Sequence, residues 1–199
     1  KYKVSNKINF GSKQSNIFFQ KKLKKCKFYF EYGAGNSTLL ANKLKKKYIS
    51  IEADKSFFNY LKYQKKISNL KYIDIGPTKY FSYPILPFFL IQKKIELYCN
   101  HINLLYLYLN KVPDLILIDG RFRVKTFLSI LEFLIQNKIQ NKIIIIIDDY
   151  QNRYNYKILE KIVQINKIGR FGVIKYSNYK YFTKKKINDL IFKSKKDIM

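Results

Sequence analysis

Short, nearly unbroken apolar runs alternate along this chain with longer stretches whose apolar residues recur on one face. The runs are KFYFEY (27–32), YISIE (48–52), LKYIDI (70–75), PDLILID (113–119) and KIIIIID (142–148). Apolar runs of that length, without polar alternation, read as strands buried on both faces. Between them, helices are predicted over 15–25, 37–46, 56–67, 93–111, 124–138 and 156–166. The first offers Ile17, Phe18 and Leu23 behind a Ser15 cap, the second a stripe of Leu39, Leu40 and Leu44, and the fifth Phe127, Ile130, Leu131 and Leu134 on one face. YFSYPILPFF (80–89), with two prolines and many aromatics, reads as an irregular loop, and 170–177 with 179–183 as a closing antiparallel pair. Residues 1–14 and 184–199 are basic and read as loose ends.

Strands alternating with helices imply a parallel sheet covered on both faces, an α/β doubly wound architecture. No internal repeat and no linker interrupts residues 1–199, so a single domain is expected. Ligands of such sheets bind beyond the carboxyl ends of the strands.

Composition narrows the class. With 47% apolar and 17% aromatic residues, the chain of 199 residues is not a disordered one. Seven glycines and four prolines exclude a collagen-like or linker chain, and two cysteines cannot staple a fold of this size. Cys26 and Cys99 lack any CxxC or His-rich context and read as buried thiols of a reducing, cytoplasmic compartment. The longest pure apolar run, Ile143–Ile147, is far shorter than the ~20 residues that span a bilayer. The first residue is Lys rather than Met, which leaves a preceding or removed targeting segment open.

The net charge is +27, from 40 Lys plus Arg against 13 Asp plus Glu. Lys, Ile, Asn, Tyr and Phe make up 116 of the 199 residues, and all five have AT-rich codons. Part of the lysine excess is therefore the mark of an AT-rich genome, although that bias does not explain why acids are so few. A basic surface in use would favour nucleic acid, anionic lipid or phosphorylated sugars. Only four arginines remain, Arg121, Arg123, Arg153 and Arg170, and three of them follow the two most acidic strand ends. A planar guanidinium fork grips carboxylate or phosphate in a way that lysine cannot copy.

Seven of the 13 acids fall at strand ends: Glu31, Glu52, Asp54, Asp74, Asp119, Asp148 and Asp149. The first end, Glu31-Tyr32-Gly33-Ala34-Gly35-Asn36-Ser37-Thr38, joins a strand to a helix. Its glycines let the backbone turn sharply and approach a ligand, and Ser37 and Thr38 open a helix with free amides. Glu52, ending the second strand 17 residues after Gly35, is placed to accept from ribose hydroxyls. A dinucleotide fingerprint would want a third glycine where Thr38 stands, and a neutral residue where Glu31 stands. A carboxylate there suits a cationic ligand.

On these residues the chain resembles the class I S-adenosylmethionine-dependent methyltransferases, with their E/D-x-G-x-G turn. The resemblance runs from about residue 28 to 176. It implies a Rossmann-like, mostly parallel sheet of about seven strands with an antiparallel closing strand. It also implies S-adenosylmethionine as cofactor, with Glu31, Gly33, Gly35 and Ser37 along its methionine part and Glu52 at the ribose. Asp74 matches loosely the family's acid near the adenine.

Asp119-Gly120-Arg121-Phe122-Arg123 and Asp148-Asp149-Tyr150 end the next two strands. They resemble the branch of that family that reads IDG and DDY or DN at these places. Metal-dependent O-methyltransferases there hold a divalent cation with such acids, which would make Asp119, Asp148 and Asp149 ligands of Mg²⁺. Arg121 and Arg123 depart from the pattern. They can neutralise the acids without a metal, or clamp an anionic substrate group; Arg153 can join either. A metal is therefore not favoured. Asp119 or Asp148 is the candidate base, so Asp119, Arg121, Arg123, Asp148 and Asp149 form the catalytic set. His101 reads as a helix-face residue, and Tyr80, Phe81, Tyr83, Phe88 and Phe89 as a substrate wall or as core.

The function expected is O-methylation of a small-molecule or sugar-type acceptor with an anionic group. Two alternatives stay open: an RNA-modifying methyltransferase using the basic surface (lysine runs 21–27, 43–47 and 184–196) and a non-catalytic methyltransferase-like binding domain. No membrane span is expected, and the oligomeric state is open.

Overall fold

The computed structural model describes residues 4, 7–79 and 82–177. The three most apolar runs pair side by side as the middle of one sheet. β1 (Phe28–Tyr32) is parallel to β6 (Leu115–Ile118), which is parallel to β7 (Ile143–Ile147). β1, β6 and the inner part of β7 are buried on both faces, as their unbroken apolar sequences require. Outward from β1 lie β2 (Lys47–Glu52) and β3 (Leu70–Tyr72), also parallel. On the other side β9 (Phe171–Tyr176) runs antiparallel to β7, and β8 (Asn166–Ile168) closes the edge antiparallel to β9. The seven-stranded order is β3-β2-β1-β6-β7-β9-β8, with β9 the one reversed strand. The fold is thus an α/β, doubly wound, Rossmann-like sheet, as expected.

Helices cover both faces. α1 (Lys13–Lys25), α2 (Asn36–Lys43) and α3 (Lys55–Asn59) lie over one, where Tyr29, Leu115, Leu117 and Ile146 point. α4 (Phe88–Cys99), α5 (His101–Leu109) and α6 (Arg123–Gln136) cover the other, packing on Phe30, Ile116, Ile118 and Ile145. Alternate residues of each strand feed alternate cores. Strand order reverses between β1 and β6, which opens a crevice at their carboxyl ends. Gly33 (φ +88°) and Gly120 meet there: a Cβ on Gly33 would lie 2.6 Å from the Gly120 nitrogen.

Several expectations need correction. The helix expected over 156–166 is a 3-10 helix over Tyr154–Lys161, followed by β8. Its buried residues, Tyr156 and Leu159, are three apart, and a helix of three residues per turn aligns such a pair. β9 pairs with β8, and the partner strand expected over 179–183 lies outside the described residues. The two share a tight turn with Gly169 at φ +58°. The helix expected over 93–111 starts earlier, after Pro87, and breaks at Asn100 into α4 and α5. The irregular loop holds a short antiparallel pair, β4 (Thr78–Lys79) with β5 (Tyr83–Pro84). The helix expected over 56–67 runs as α3 and then one π-helical turn over Tyr60–Gln64. The stretch 1–14, read as loose, places Phe10 in the core, edge-on to Phe19 and Phe171.

Cys26 and Cys99 are free and buried, and burial pushes their thiols up to about 11 and about 12. Among the described residues, no helix is long and apolar enough to cross a membrane.

Candidate functional site

The carboxyl ends of β1, β2, β6 and β7 surround one cavity of about 900 Å³. Gly33, Gly35, Glu52, Asp119, Arg121, Arg123, Asp148 and Asp149 line it, so most of the residues singled out from sequence converge there. Glu31 and Ser37 do not line it. Asp74 lies in a separate cavity of about 830 Å³, more than half exposed and 2.6 Å from Lys94 Nζ.

Glu31 is fully buried on the sheet face beneath the turn. Four hydroxyls donate to its carboxylate: Tyr29 at 2.6 Å, Ser37 at 2.5 Å, Thr38 and Ser50. Burial raises its pKa, and the four donors oppose that rise. Glu31 thus ties β1, β2 and the first turn of α2 into one unit. Above it the Gly33 amide donates to Ile51 O at 3.0 Å and the Gly35 amide to Thr38 Oγ1 at 2.9 Å. A Cβ on Gly35 would meet nothing within 4 Å. The glycine turn therefore presents bare backbone to the cavity.

Glu52 forms the adjoining wall, with its Oε1 saturated. Its Oε1 accepts from the Ala53 amide (2.7 Å), the Asp54 amide (2.8 Å) and Ser82 Oγ (2.9 Å), and its Oε2 from the Ala34 amide (3.2 Å). Burial raises its pKa. Asp54 caps α3 through the Phe57 amide at 2.9 Å.

The other wall is an Asp-Arg network. Arg123, 7% exposed, sends Nη2 to Asp119 Oδ1 at 3.0 Å and Nη1 to Asp149 Oδ2 at 3.4 Å. It also donates to the backbone oxygens of Gly120 (2.9 Å) and Asp148 (2.5 Å). Arg170 reaches in from the β8–β9 turn, with Nε 3.1 Å from Asp148 Oδ1 and Nη2 on Asp149 Oδ1. The N-terminus of α1 positions it: Ser15 Oγ accepts from the Arg170 amide and donates to Ile168 O, both at 3.1 Å. Sequence reading did not place Arg170 or Ser82 in the site. The rarity of arginine in this chain was the one signal for Arg170.

Burial and the charge of Asp119 push Asp148 up to about 8, against the pull of Arg123 and Arg170. Asp119 is also raised by burial, with Arg123 opposing. Phe122 and Asp149, both non-glycine residues at positive φ (+55° and +59°), mark local strain at this edge. Phe122 separates two arginines with different partners: Arg123 enters the acids, and Arg121 stacks on Tyr83 with its guanidinium carbon 4.0 Å from the ring centre.

The three acids do not fit a divalent cation. Two guanidiniums already occupy the oxygens, and the described residues hold no group of three His, Cys, Asp or Glu arranged for a metal. The glycine turn, which presents bare backbone to the open cavity beside the buried Glu52, leaves room for a nucleoside ligand.

A scan of family models and a search of curated proteins return no match. Among solved structures, a methyltransferase-like protein from Silicibacter pomeroyi aligns at TM-score 0.70 and 22% identity. The alignment covers 87% of this chain and 90% of that one. The likeness establishes a methyltransferase-like fold.

Proposed function

We propose that the chain is an S-adenosylmethionine-dependent methyltransferase that O-methylates a small-molecule or sugar-type acceptor with an anionic group. The observation that carries the reading is the convergence, in one cavity, of the bare glycine turn, the Glu52 acid and the Asp119–Asp148 carboxyls. Gly33, Gly35 and Glu52 would hold the cofactor, with Glu31 and Ser37 fixing the turn from beneath. When bound, the cofactor supplies an electrophilic methyl group on a sulfonium.

The chain's own part is position and proton handling. Arg123 keeps Asp119 in place through a 3.0 Å ion pair, and Arg170 does the same for Asp148. Asp148 is buried and Asp119 beside it is partly buried, and both carboxyls are raised in pKa, which favours a singly protonated pair. Such a pair accepts the acceptor's hydroxyl proton through its ionised member.

The charge of +27 favours a second reading, methylation of RNA. The position of the described lysine runs speaks against it. Lys24 and Lys25 end α1, Lys45 and Lys46 precede β2, Lys47 opens it, and Lys111 precedes β6. All of these lie at the amino ends of the strands, the edge opposite the cavity. An RNA lying on them would not reach Asp119.

The test is release of demethylated cofactor by the full chain, with S-adenosylmethionine and a panel of hydroxylated carboxylic acids, sugar phosphates and RNA, with chelator and with Mg²⁺. Turnover on one member, unaffected by chelator, is expected. Turnover on RNA alone would favour the second reading.

A further inference from the structure

Two of the four arginines are taken up by carboxylates. Arg123 and Arg170 hold Asp119, Asp148 and Asp149. Among the described residues, Arg121 and Arg153 have no carboxylate within ion-pair distance. Arg121 is the sharper case, because its Nε is shielded from solvent and has no acceptor. A buried guanidinium nitrogen without an acceptor costs free energy.

The fork is nonetheless held in place. Its carbon sits 4.0 Å from the centre of the Tyr83 ring, so the ring covers one flat face. The N–H donors of a guanidinium lie in its plane, so stacking leaves them free for oxygen atoms. Arg153 approaches the same phenol from the segment after β7. The charge and hydrogen bonding of Arg121, and then the hydrogen bonding and charge of Arg153, draw the Tyr83 hydroxyl below its ordinary pKa. Two cations thus converge on one aromatic residue that is itself 42% exposed. Arg121 also lines the cavity that holds Gly33, Gly35 and Glu52, two residues beyond Asp119.

We propose that Arg121 and Arg153, braced by Tyr83, form an oxyanion clamp at the mouth of this cavity, which anchors the acceptor through a carboxylate or phosphate. The clamp rests on the methyltransferase reading only for the word acceptor; the anion site stands on the arginine geometry. An acceptor gripped there by its charged end is directed with its remaining length toward Asp119 and Asp148. Affinity for the anion depends on the planar forks rather than on net charge, which distinguishes the clamp from the attraction of a +27 surface.

The experiment uses benzoate and phenyl phosphate as probes, titrated calorimetrically into the full chain with and without S-adenosylmethionine. Arg121→Lys and Arg153→Lys conserve the charge, and a thermal melt checks their folding. The expected result is saturable binding of one probe by the wild type, weakened about tenfold in each lysine variant, with unchanged cofactor affinity. Which probe binds separates a carboxylate from a phosphate acceptor. Unchanged anion affinity in the lysine variants would overturn the clamp in favour of diffuse positive charge. A parallel loss of cofactor affinity would overturn it too, since the forks would then hold the cofactor's own carboxylate. Binding of S-adenosylmethionine without either probe defeats the clamp and leaves the methyltransferase reading standing. Probe binding lost in the variants, with no binding of S-adenosylmethionine, does the reverse. If either lysine variant fails to fold, Tyr83→Ala removes the exposed brace instead: weaker probe binding supports the clamp, and unchanged binding contradicts it.

Discussion

Ser82 Oγ donates a 2.9 Å hydrogen bond to Glu52 Oε1. Ser82 does so from a left-handed backbone conformation, φ +57°. With the Ala53 and Asp54 amides, this bond fills the acceptor capacity of Oε1, while Oε2 accepts from the Ala34 amide. A ribose hydroxyl can bond to Glu52 Oε1 only if Ser82 withdraws. Ser82→Ala is therefore expected to tighten S-adenosylmethionine binding by a few-fold, about 1 kcal/mol, because no bond need be broken first. Calorimetric titration of both proteins checks this, and weaker binding in Ser82→Ala would mean that the serine helps to hold the ligand.

The two glycines of the turn differ in what they tolerate. At Gly33 the backbone is left-handed, and a Cβ meets Gly120 N at 2.6 Å. Gly33→Ala should cost about 3 kcal/mol, measured by denaturant unfolding. At Gly35 a Cβ meets nothing within 4 Å, so Gly35→Ala should leave stability within about 0.5 kcal/mol while obstructing the ligand cradle. Equal destabilisation by the two changes would contradict this division.

Glu31 holds the turn from beneath. Glu31→Ala leaves the hydroxyls of Tyr29, Ser37, Thr38 and Ser50 without their shared acceptor. A loss of about 3 kcal/mol in unfolding free energy is expected, with any loss of cofactor binding following from the disordered turn. A variant of wild-type stability that still fails to bind would instead give Glu31 a direct contact.

Asp148 sets a pH dependence. Its pKa rises from an ordinary 3.8 to about 8 in the folded protein, by burial and by the charge of Asp119. Between those values the folded chain keeps a proton that the unfolded chain has released, so this group's contribution to stability falls as pH rises through the window. Melting temperatures from pH 5 to pH 8 should decline in the wild type, and decline less in Asp148→Asn, whose side chain cannot ionise. A steeper decline in the variant would refute the assignment.

The middle of the sheet was legible in the sequence because β1, β6 and β7 are buried on both faces and leave unbroken apolar runs. Convergence of Gly33, Gly35, Glu52, Asp119 and Asp148 followed from strand ends alone. β8 was not legible: Asn166 and Lys167 are exposed at a sheet edge, and three residues carry no pattern. Nor was the break between α4 and α5, where Asn100 interrupts an apolar stretch without proline or glycine. The surroundings of Glu31 come from two strands and a helix, and those of Arg170 from α1; only packing brings them together. Asp74 sat at a strand end in the sequence, but Lys94 holds it in the neighbouring cavity.

We assign the cavity at the β1–β6 crevice to S-adenosylmethionine. Calorimetric titration of that cofactor into the wild-type chain and into Glu52→Gln tests this assignment. One-to-one saturable binding, weakened at least about tenfold in Glu52→Gln, is the predicted result. Absence of binding by a folded wild type, or equal binding by both proteins, would contradict the account.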